Sequence, residues 1–93
     1  MEITLAVHRL RKHDLTWREV GDAIVVLDLS DSSYLSVSGS GKTIWNALEK
    51  GATVDQLVDI VLEIYEVEPA TARADTEKFL AGLLERKLIT VTD

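Results

Sequence analysis

The chain contains no cysteine, one proline and five glycines in 93 residues. The absence of cysteine excludes a disulfide framework, a thiol nucleophile and a thiolate metal site. So few prolines and glycines exclude a low-complexity linker, and we therefore expect residues 1–93 to form one domain. A domain of this length can bury a modest core but has no room for a nucleotide-binding sheet plus a substrate domain, which argues against a stand-alone enzyme.

Positive charge and long apolar runs are also scarce. Sixteen Asp and Glu residues outnumber ten Lys and Arg residues, giving a net charge of -6, so a nucleic-acid backbone would be repelled. No apolar run approaches the ~20 residues that span a bilayer, and Glu2 stands where a signal peptide carries positive charge. We expect a cytoplasmic protein with no nucleic-acid or membrane partner.

The first half of the chain alternates between apolar and polar residues, as β-strands do. Three β-rich runs, 16–20, 23–29 and 33–37, are separated by connections so short that they can form only antiparallel hairpins. Upstream, Ile3, Leu5 and Val7 alternate in the same way, but RLRKHD, residues 9–14, then breaks the pattern. Residues 1–13 are therefore expected to hold a short strand followed by a polar tail.

The second half of the chain has the period of α-helices. The apolar spacing predicts helices over about 41–50 and 54–65 and a longest helix from Pro69 to the segment 85–87, followed by an extended tail at 88–91. Gly51 has the position of a left-handed C-terminal cap, and Thr53 with Gln56 forms a capping-box pattern. Strands followed by short-looped helices predict an α+β fold of winged helix-turn-helix type, with a three-stranded antiparallel sheet and three helices.

The segment SVSGSGKTIW, residues 36–45, ends like a nucleotide-binding P-loop. A Walker A loop requires glycine five residues before Gly41, where this chain has Ser36, so the motif is incomplete. An acid that could hold magnesium, Asp28, would lie at the opposite end of the predicted hairpin from Lys42. We interpret the segment as a strand-to-helix elbow in which glycines relieve crowding and a serine caps the helix.

No other pattern predicts catalysis, a cofactor or a metal. His8 and His13 lie five residues apart in the expected polar tail, without positioned partner ligands, and are interpreted as solvated. The acids of the second predicted helix fit a solvated face: Asp55, Asp59, Glu63 and Glu66. The aromatic residues sit in apolar patterns and are predicted to be core: Trp17, Trp45, Tyr65 and Phe79.

A binding surface is predicted at the third β-rich run, which is the last strand of the predicted three-stranded sheet. One edge of this strand is open unless the N-terminal run covers it, and an open edge accepts a peptide strand. The third helix is apolar over a wide arc, in which Leu80 and Leu84 extend the stripe toward Arg73 and Glu77. Two interpretations remain open, because the extension can flank a groove beside the strand or belong to the core.

Residues 17–89 resemble the PqqD-like family, the leader-recognition elements of ribosomally made peptide natural products. The resemblance rests on the order and spacing of VVLDL, YLSV before SGSGKTIW, LEKGATVDQLVDIVLEIYEV, and ADTEKFLAGLLERKLI. The chain departs from the usual pattern at Val37-Ser38, where Leu-Asn is common, and at Lys87, where glycine is common.

The resemblance implies a non-catalytic protein that binds the leader segment of a precursor peptide as an added strand, in a groove flanked by the third helix. The implied partner is a separate leader protease or modifying enzyme, and both lasso-peptide and radical-SAM pathways remain open. Carried over by position, the edge is Tyr34, Leu35, Ser36 and Val37. The implied helical wall is Arg73, Thr76, Glu77, Leu80, Leu83 and Leu84.

Two other functions compete with this hypothesis. A winged-helix DNA-binding module has the same elements but requires a basic recognition helix, whereas the second predicted helix carries only acids. An enzyme that uses GSGKT would bind a nucleotide through Lys42, and we expect no nucleotide binding.

Overall fold

The computed structural model describes residues 6–92 as five strands and three helices. The elements are, in chain order, β1 (Val7–Leu10), β2 (Leu15–Val20), β3 (Ala23–Asp28), β4 (Ser33–Ser38), α1 (Ser40–Leu48), α2 (Val54–Ile64), α3 (Pro69–Glu85) and β5 (Ile89–Thr92). This order confirms the predicted α+β class, with a three-stranded antiparallel sheet, three helices and an extra N-terminal strand. None of the helices in the described part of the chain combines the length and hydrophobicity needed to cross a membrane.

The sheet has the order β2-β3-β4, as the short connections predicted. Gly21, with φ of 60°, turns the chain between β2 and β3, and Asp28 pairs with Ser33 across the second hairpin. Alternate residues of β3 and β4 face the helices, so Ile24, Val26 and Val37 are buried. None of the helices within residues 6–92 packs on the opposite face of the sheet, where Leu27 and Tyr34 are exposed.

The prediction of a polar tail up to residue 13 was wrong. Residues Val7–Leu10 form β1, which pairs antiparallel with β5, and Leu10 is buried. His8 forms an isolated bridge with Ala52, and its Nδ1 is buried without a hydrogen-bond partner among the described residues, so this ring nitrogen is not solvated as predicted. The strand-like residues Ile3 and Leu5 lie outside the described part of the chain.

The three predicted helices are present, but α1 spans 40–48 rather than 41–50, so Gly51, with φ of 91°, lies beyond the C-cap Glu49 and is not the predicted cap. The capping box at α2 is present, because Thr53 Oγ1 accepts from the Gln56 backbone N–H and the Gln56 side chain accepts from Thr53. At α1 no serine caps the helix, because the N-cap residue is Gly39 with φ of 60°, which makes no side-chain hydrogen bond. The capping-serine prediction was therefore wrong, and within residues 6–92 no side chain caps the first turn of α1.

The core lies between the inner face of the sheet and the three helices. Its largest fully buried side chain is Trp45 on α1, which meets Trp17 of β2 edge to face at 5.6 Å between ring centroids. Phe79 and Tyr65 are partly buried against the same core. The aromatic residues are thus packed as predicted, with Trp17 retaining a polar contact from its Nε1 to Glu49 at 3.1 Å.

Arg11 joins three distant parts of the chain. Its guanidinium donates to Asp28 Oδ1 at 2.6 Å, to the Asp14 carbonyl at 2.9 Å and to the Lys87 carbonyl at 3.1 Å, while its Nε donates to the His13 carbonyl. The Arg11 guanidinium, together with the Ser30 hydroxyl, holds the pKa of the Asp28 carboxyl well below its usual range. Arg11 thereby ties the β1–β2 connection, the end of β3 and the end of α3 together.

The turn between α3 and β5 requires a left-handed residue. The Lys87 N–H donates to the Leu84 carbonyl and the Leu88 N–H donates to the Leu83 carbonyl, both at 2.9 Å, which is a Schellman motif with Lys87 at C′. Lys87 adopts φ of 62°, where a β-carbon is strained and glycine is not. Glycine is common at this position in the family that the chain resembles, and the left-handed backbone conformation explains that preference.

We expect Lys87→Gly to stabilise the fold by about 0.5–1 kcal/mol, because it relieves the left-handed strain at a modest entropic cost. The free energy of unfolding in urea measures the gain. Lys87→Ala removes the same charge but keeps the β-carbon, so it should give no gain. Equal stabilisation by both variants would contradict the backbone explanation.

We expect the Arg11–Asp28 pair to make stability depend on acid pH. Because the folded-state pKa of Asp28 is lowered, its contribution is complete well above the unfolded value of about 3.9 and is lost as the pH falls through and below that value. Urea unfolding between pH 7 and pH 3 should show that Asp28→Asn is less stable at pH 7 and loses less stability on acidification. Asp22→Asn, at an exposed turn, should keep the wild-type slope.

Candidate functional site

The outer edge of β4 is free of any strand within residues 6–92. The described N-terminal strand pairs with β5 instead, so it does not cover this edge. Along β4 the side chains alternate: Tyr34 and Ser36 are exposed on the outer sheet face, while Leu35 and Val37 point toward the helices. The predicted edge residues thus occupy one strand with unpaired backbone groups on its outer side.

A groove runs between β4 and α3. It consists of two adjoining cavities of about 220 and 360 Å³ that share Leu35 and Arg86, and we call it the β4–α3 groove. The larger cavity is lined by Leu35, Asp75, Lys78, Phe79, Gly82, Leu83 and Arg86. The smaller cavity is lined by Val26, Asp28, Asp31, Ser33, Tyr34, Leu35, Arg86 and Leu88.

The larger cavity has an apolar centre and a charged rim. Leu35, Phe79 and Leu83 supply the apolar surface, and Gly82 leaves space between them, since a β-carbon added there would meet no atom within 4 Å. Lys78 and Arg86 provide cations at its margin. The smaller cavity is more polar, because Asp31 and Ser33 lie opposite Arg86.

The structure brings only part of the predicted helical wall to the groove. Leu83 lines the groove, whereas Thr76 and Leu80 are buried in the core behind it. The remaining three predicted residues lie on the opposite flank of α3, since at 3.6 residues per turn Arg73, Glu77 and Leu84 are about half a turn away from Gly82 and Arg86. There, Arg73 pairs with Asp55 of α2, and Leu84 is 49% exposed.

The sequence reasoning missed the groove residues Asp75, Lys78, Gly82 and Arg86 and assigned Phe79 to the core alone. Their spacing of three and four residues is itself a helical stripe, beside the buried stripe of Ala72, Thr76, Leu80 and Leu83. The periodicity therefore contained a signal for both flanks of α3. It did not indicate which flank faces β4.

The segment that resembled a P-loop shapes one end of the groove. A β-carbon on Gly41 would lie 3.0 Å from Val37 Cγ1 and 3.2 Å from Phe79 Cε1, so glycine lets α1 pack closely on β4 and on a groove residue. Lys42 Nζ lies 3.4 Å from Glu19 Oε2. Asp28 and the elbow lie at opposite ends of the β3–β4 hairpin, as expected.

Arg11 and Asp28 position the other end of the groove. Asp28 lines the smaller cavity, and the Lys87 carbonyl that Arg11 binds directly follows Arg86. No grouping of three or more His, Asp or Glu side chains that could hold a metal ion exists in residues 6–92. The site therefore offers an open strand edge, an apolar floor and flanking charges.

Two solved structures resemble this fold. One is titled "TbiB1 in Complex with the TbiA(beta) Leader Peptide"; it is 26% identical, with a TM-score of 0.79, and the match covers 87% of this chain and 93% of that chain. The other, "Lasso peptide synthetase B1 complexed with the leader peptide", is 22% identical with a TM-score of 0.79, covering 89% and 96%, and shows the similarity of fold. No curated protein sequence matches the chain.

The sequence family described as "Coenzyme PQQ synthesis protein D (PqqD)" matches residues 23–89. The match begins at β3 and ends in β5, so it includes β4, all three helices and both walls of the β4–α3 groove. This chain belongs to the PqqD family.

Proposed function

We propose that this protein binds the leader segment of a ribosomally made precursor peptide in the β4–α3 groove and delivers it to a separate leader protease or modifying enzyme. The observation that carries the proposal is the open edge of β4 beside an apolar groove. The similar TbiB1 structure, which contains a leader peptide, supports it. The protein itself is non-catalytic in this proposal, and no His or Cys is among the residues that line the groove.

The backbone of β4 would supply affinity that is independent of the leader's sequence. A leader in extended conformation pairs its N–H and C=O groups with the outer edge formed by Tyr34, Leu35, Ser36 and Val37. Since side chains alternate along a strand, residues i and i+2 of the leader face the groove, and the intervening residue faces away.

The groove would supply selectivity. One inward side chain enters the larger cavity against Leu35, Phe79 and Leu83, where an apolar residue is favoured by burial. The next inward side chain enters the smaller cavity near Arg86 and Asp31, where a polar residue is favoured. The leader is ordered only on binding, which offsets part of this contact energy and makes a micromolar to nanomolar affinity reasonable.

We expect a synthetic leader segment of the cognate precursor peptide to shift backbone amide resonances of residues 33–38 in a ¹⁵N-labelled sample. The same titration should shift the groove flank of α3, including Gly82 and Arg86, more than the opposite flank at Arg73 and Glu77. Saturating leader that changes neither β4 nor α3 would refute the proposal. Shifts confined to the opposite flank would indicate that the leader binds instead at the helical wall that the family resemblance implied.

We expect Gly82→Leu to separate binding from folding. The new side chain occupies the space in the larger cavity, so leader affinity measured by fluorescence anisotropy should fall at least about tenfold, or 1.4 kcal/mol. Nothing lies within 4 Å of the added β-carbon, and leucine has the higher helix propensity, so the variant should gain about 0.5–1 kcal/mol of stability. The matched control, Glu77→Leu on the opposite flank, should bind the leader as the wild type does. Undiminished binding by Gly82→Leu would place the leader outside the groove.

A further inference from the structure

A third cavity continues the β4–α3 groove beyond the end of β4. It measures about 140 Å³ and is lined by Ser40, Val61, Tyr65, Val67, Ala72, Asp75 and Thr76. Asp75 lines both this cavity and the larger groove cavity, so the two adjoin along α3. Ser40 lies two residues after the last residue of β4, so the cavity lies near the end of the strand edge.

One residue that lines the cavity, Thr76, has a buried hydroxyl that is unused. Thr76 is 1% exposed, and its Oγ1 makes no hydrogen bond to any group in residues 6–92. A buried hydroxyl without a partner costs free energy, so a hydrogen bond from a group that enters the cavity would be favourable. The Tyr65 hydroxyl, by contrast, already pairs with Thr43 Oγ1 at 3.3 Å.

The cavity also adjoins the uncapped start of α1. Ser40 is the first residue of this nine-residue helix, and the N-cap Gly39 offers no side-chain acceptor. Among the described residues, the first-turn N–H groups therefore lack the side-chain acceptor that a serine, threonine or asparagine cap would normally provide, and the Lys42 N–H donates to the Gly39 carbonyl at 3.1 Å.

We propose that this cavity is a specificity subsite that takes a short, neutral hydroxyl or carboxamide side chain (Ser, Thr or Asn) of the bound peptide, which caps α1 from outside and pairs with Thr76. The inference rests on the proposed function. A hydroxyl or amide both donates and accepts, which suits the Asp75 carboxylate and the α1 N–H groups together. The carboxylate of Asp75 disfavours an acidic side chain, and the positive end of the α1 dipole disfavours a cationic one. The cavity volume limits the residue to a short one.

The test begins with a display library of random 16-residue peptides selected on the immobilised wild-type protein. Enriched peptides should share Ser, Thr or Asn at one position, and selection on Thr76→Val should lose that preference. Thr16→Val, which changes an exposed threonine on the far sheet face, is the matched control and should keep it. Because Thr76→Val removes an unpaired buried hydroxyl while keeping the shape of the side chain, its unfolding midpoint should rise, which separates the effect from misfolding.

One enriched peptide and its alanine variant at the shared position then complete a double-mutant cycle by fluorescence anisotropy. We expect the alanine peptide to bind the wild type five- to tenfold more weakly and to bind Thr76→Val within twofold of the parent peptide. An equal loss of affinity on both proteins would overturn this subsite alone. The same holds if the enriched peptides shift amides of residues 33–38 but share no Ser, Thr or Asn position. A library that yields no peptide shifting those amides would overturn the proposed leader groove itself, and the subsite with it.

Discussion

The contact between Arg11 and Asp28 is the interaction on which the rest of the structure depends. A guanidinium presents five donors in a rigid plane, and here they reach a carboxylate at the end of β3 and three backbone carbonyls, those of His13, Asp14 and Lys87. Those acceptors belong to the β1–β2 connection, the end of β3 and the turn after α3. Asp28 is held in turn by the Ser30 hydroxyl and N–H, so no oxygen of the buried carboxylate lacks a donor. This arrangement fixes where α3 ends relative to the sheet.

The groove follows from that constraint at one end and from close packing at the other. Arg86, which both groove cavities share, directly precedes the residue whose carbonyl Arg11 binds. At the far end Gly41 allows α1 to approach Val37 and Phe79 closely, so the elbow sets the position of an apolar groove residue. The elbow thus shapes the groove through packing, and Lys42 pairs with Glu19 of β2.

Local patterns predicted the elements well, because the signals for strands, helices and caps lie within a few residues of one another. The hairpins at Gly21 and at residues 29–32, the capping box at Thr53 and the N1 proline at Pro69 are all present. The segment from Val7 to residue 13 was mispredicted because its partners are remote. Arg11 meets Asp28 seventeen residues away and the Lys87 carbonyl seventy-six residues away, and β1 pairs with the last strand. The sequence of this segment is basic and lacks a regular apolar alternation, and it gives no sign of the distant residues that it contacts.

By itself, the order of residues determined the class of fold, the edge strand and the existence of a wide apolar arc on α3, since alternation and helical periodicity are local properties. Only the tertiary structure decided which flank of α3 faces β4. Periodicity states which residues share a stripe but carries no information about the rotation of a helix about its own axis relative to a strand that lies some forty residues earlier. That rotation is set by the burial of Ala72, Thr76, Leu80 and Leu83, and it turns Phe79, Gly82 and Arg86, rather than Arg73 and Glu77, toward the open edge.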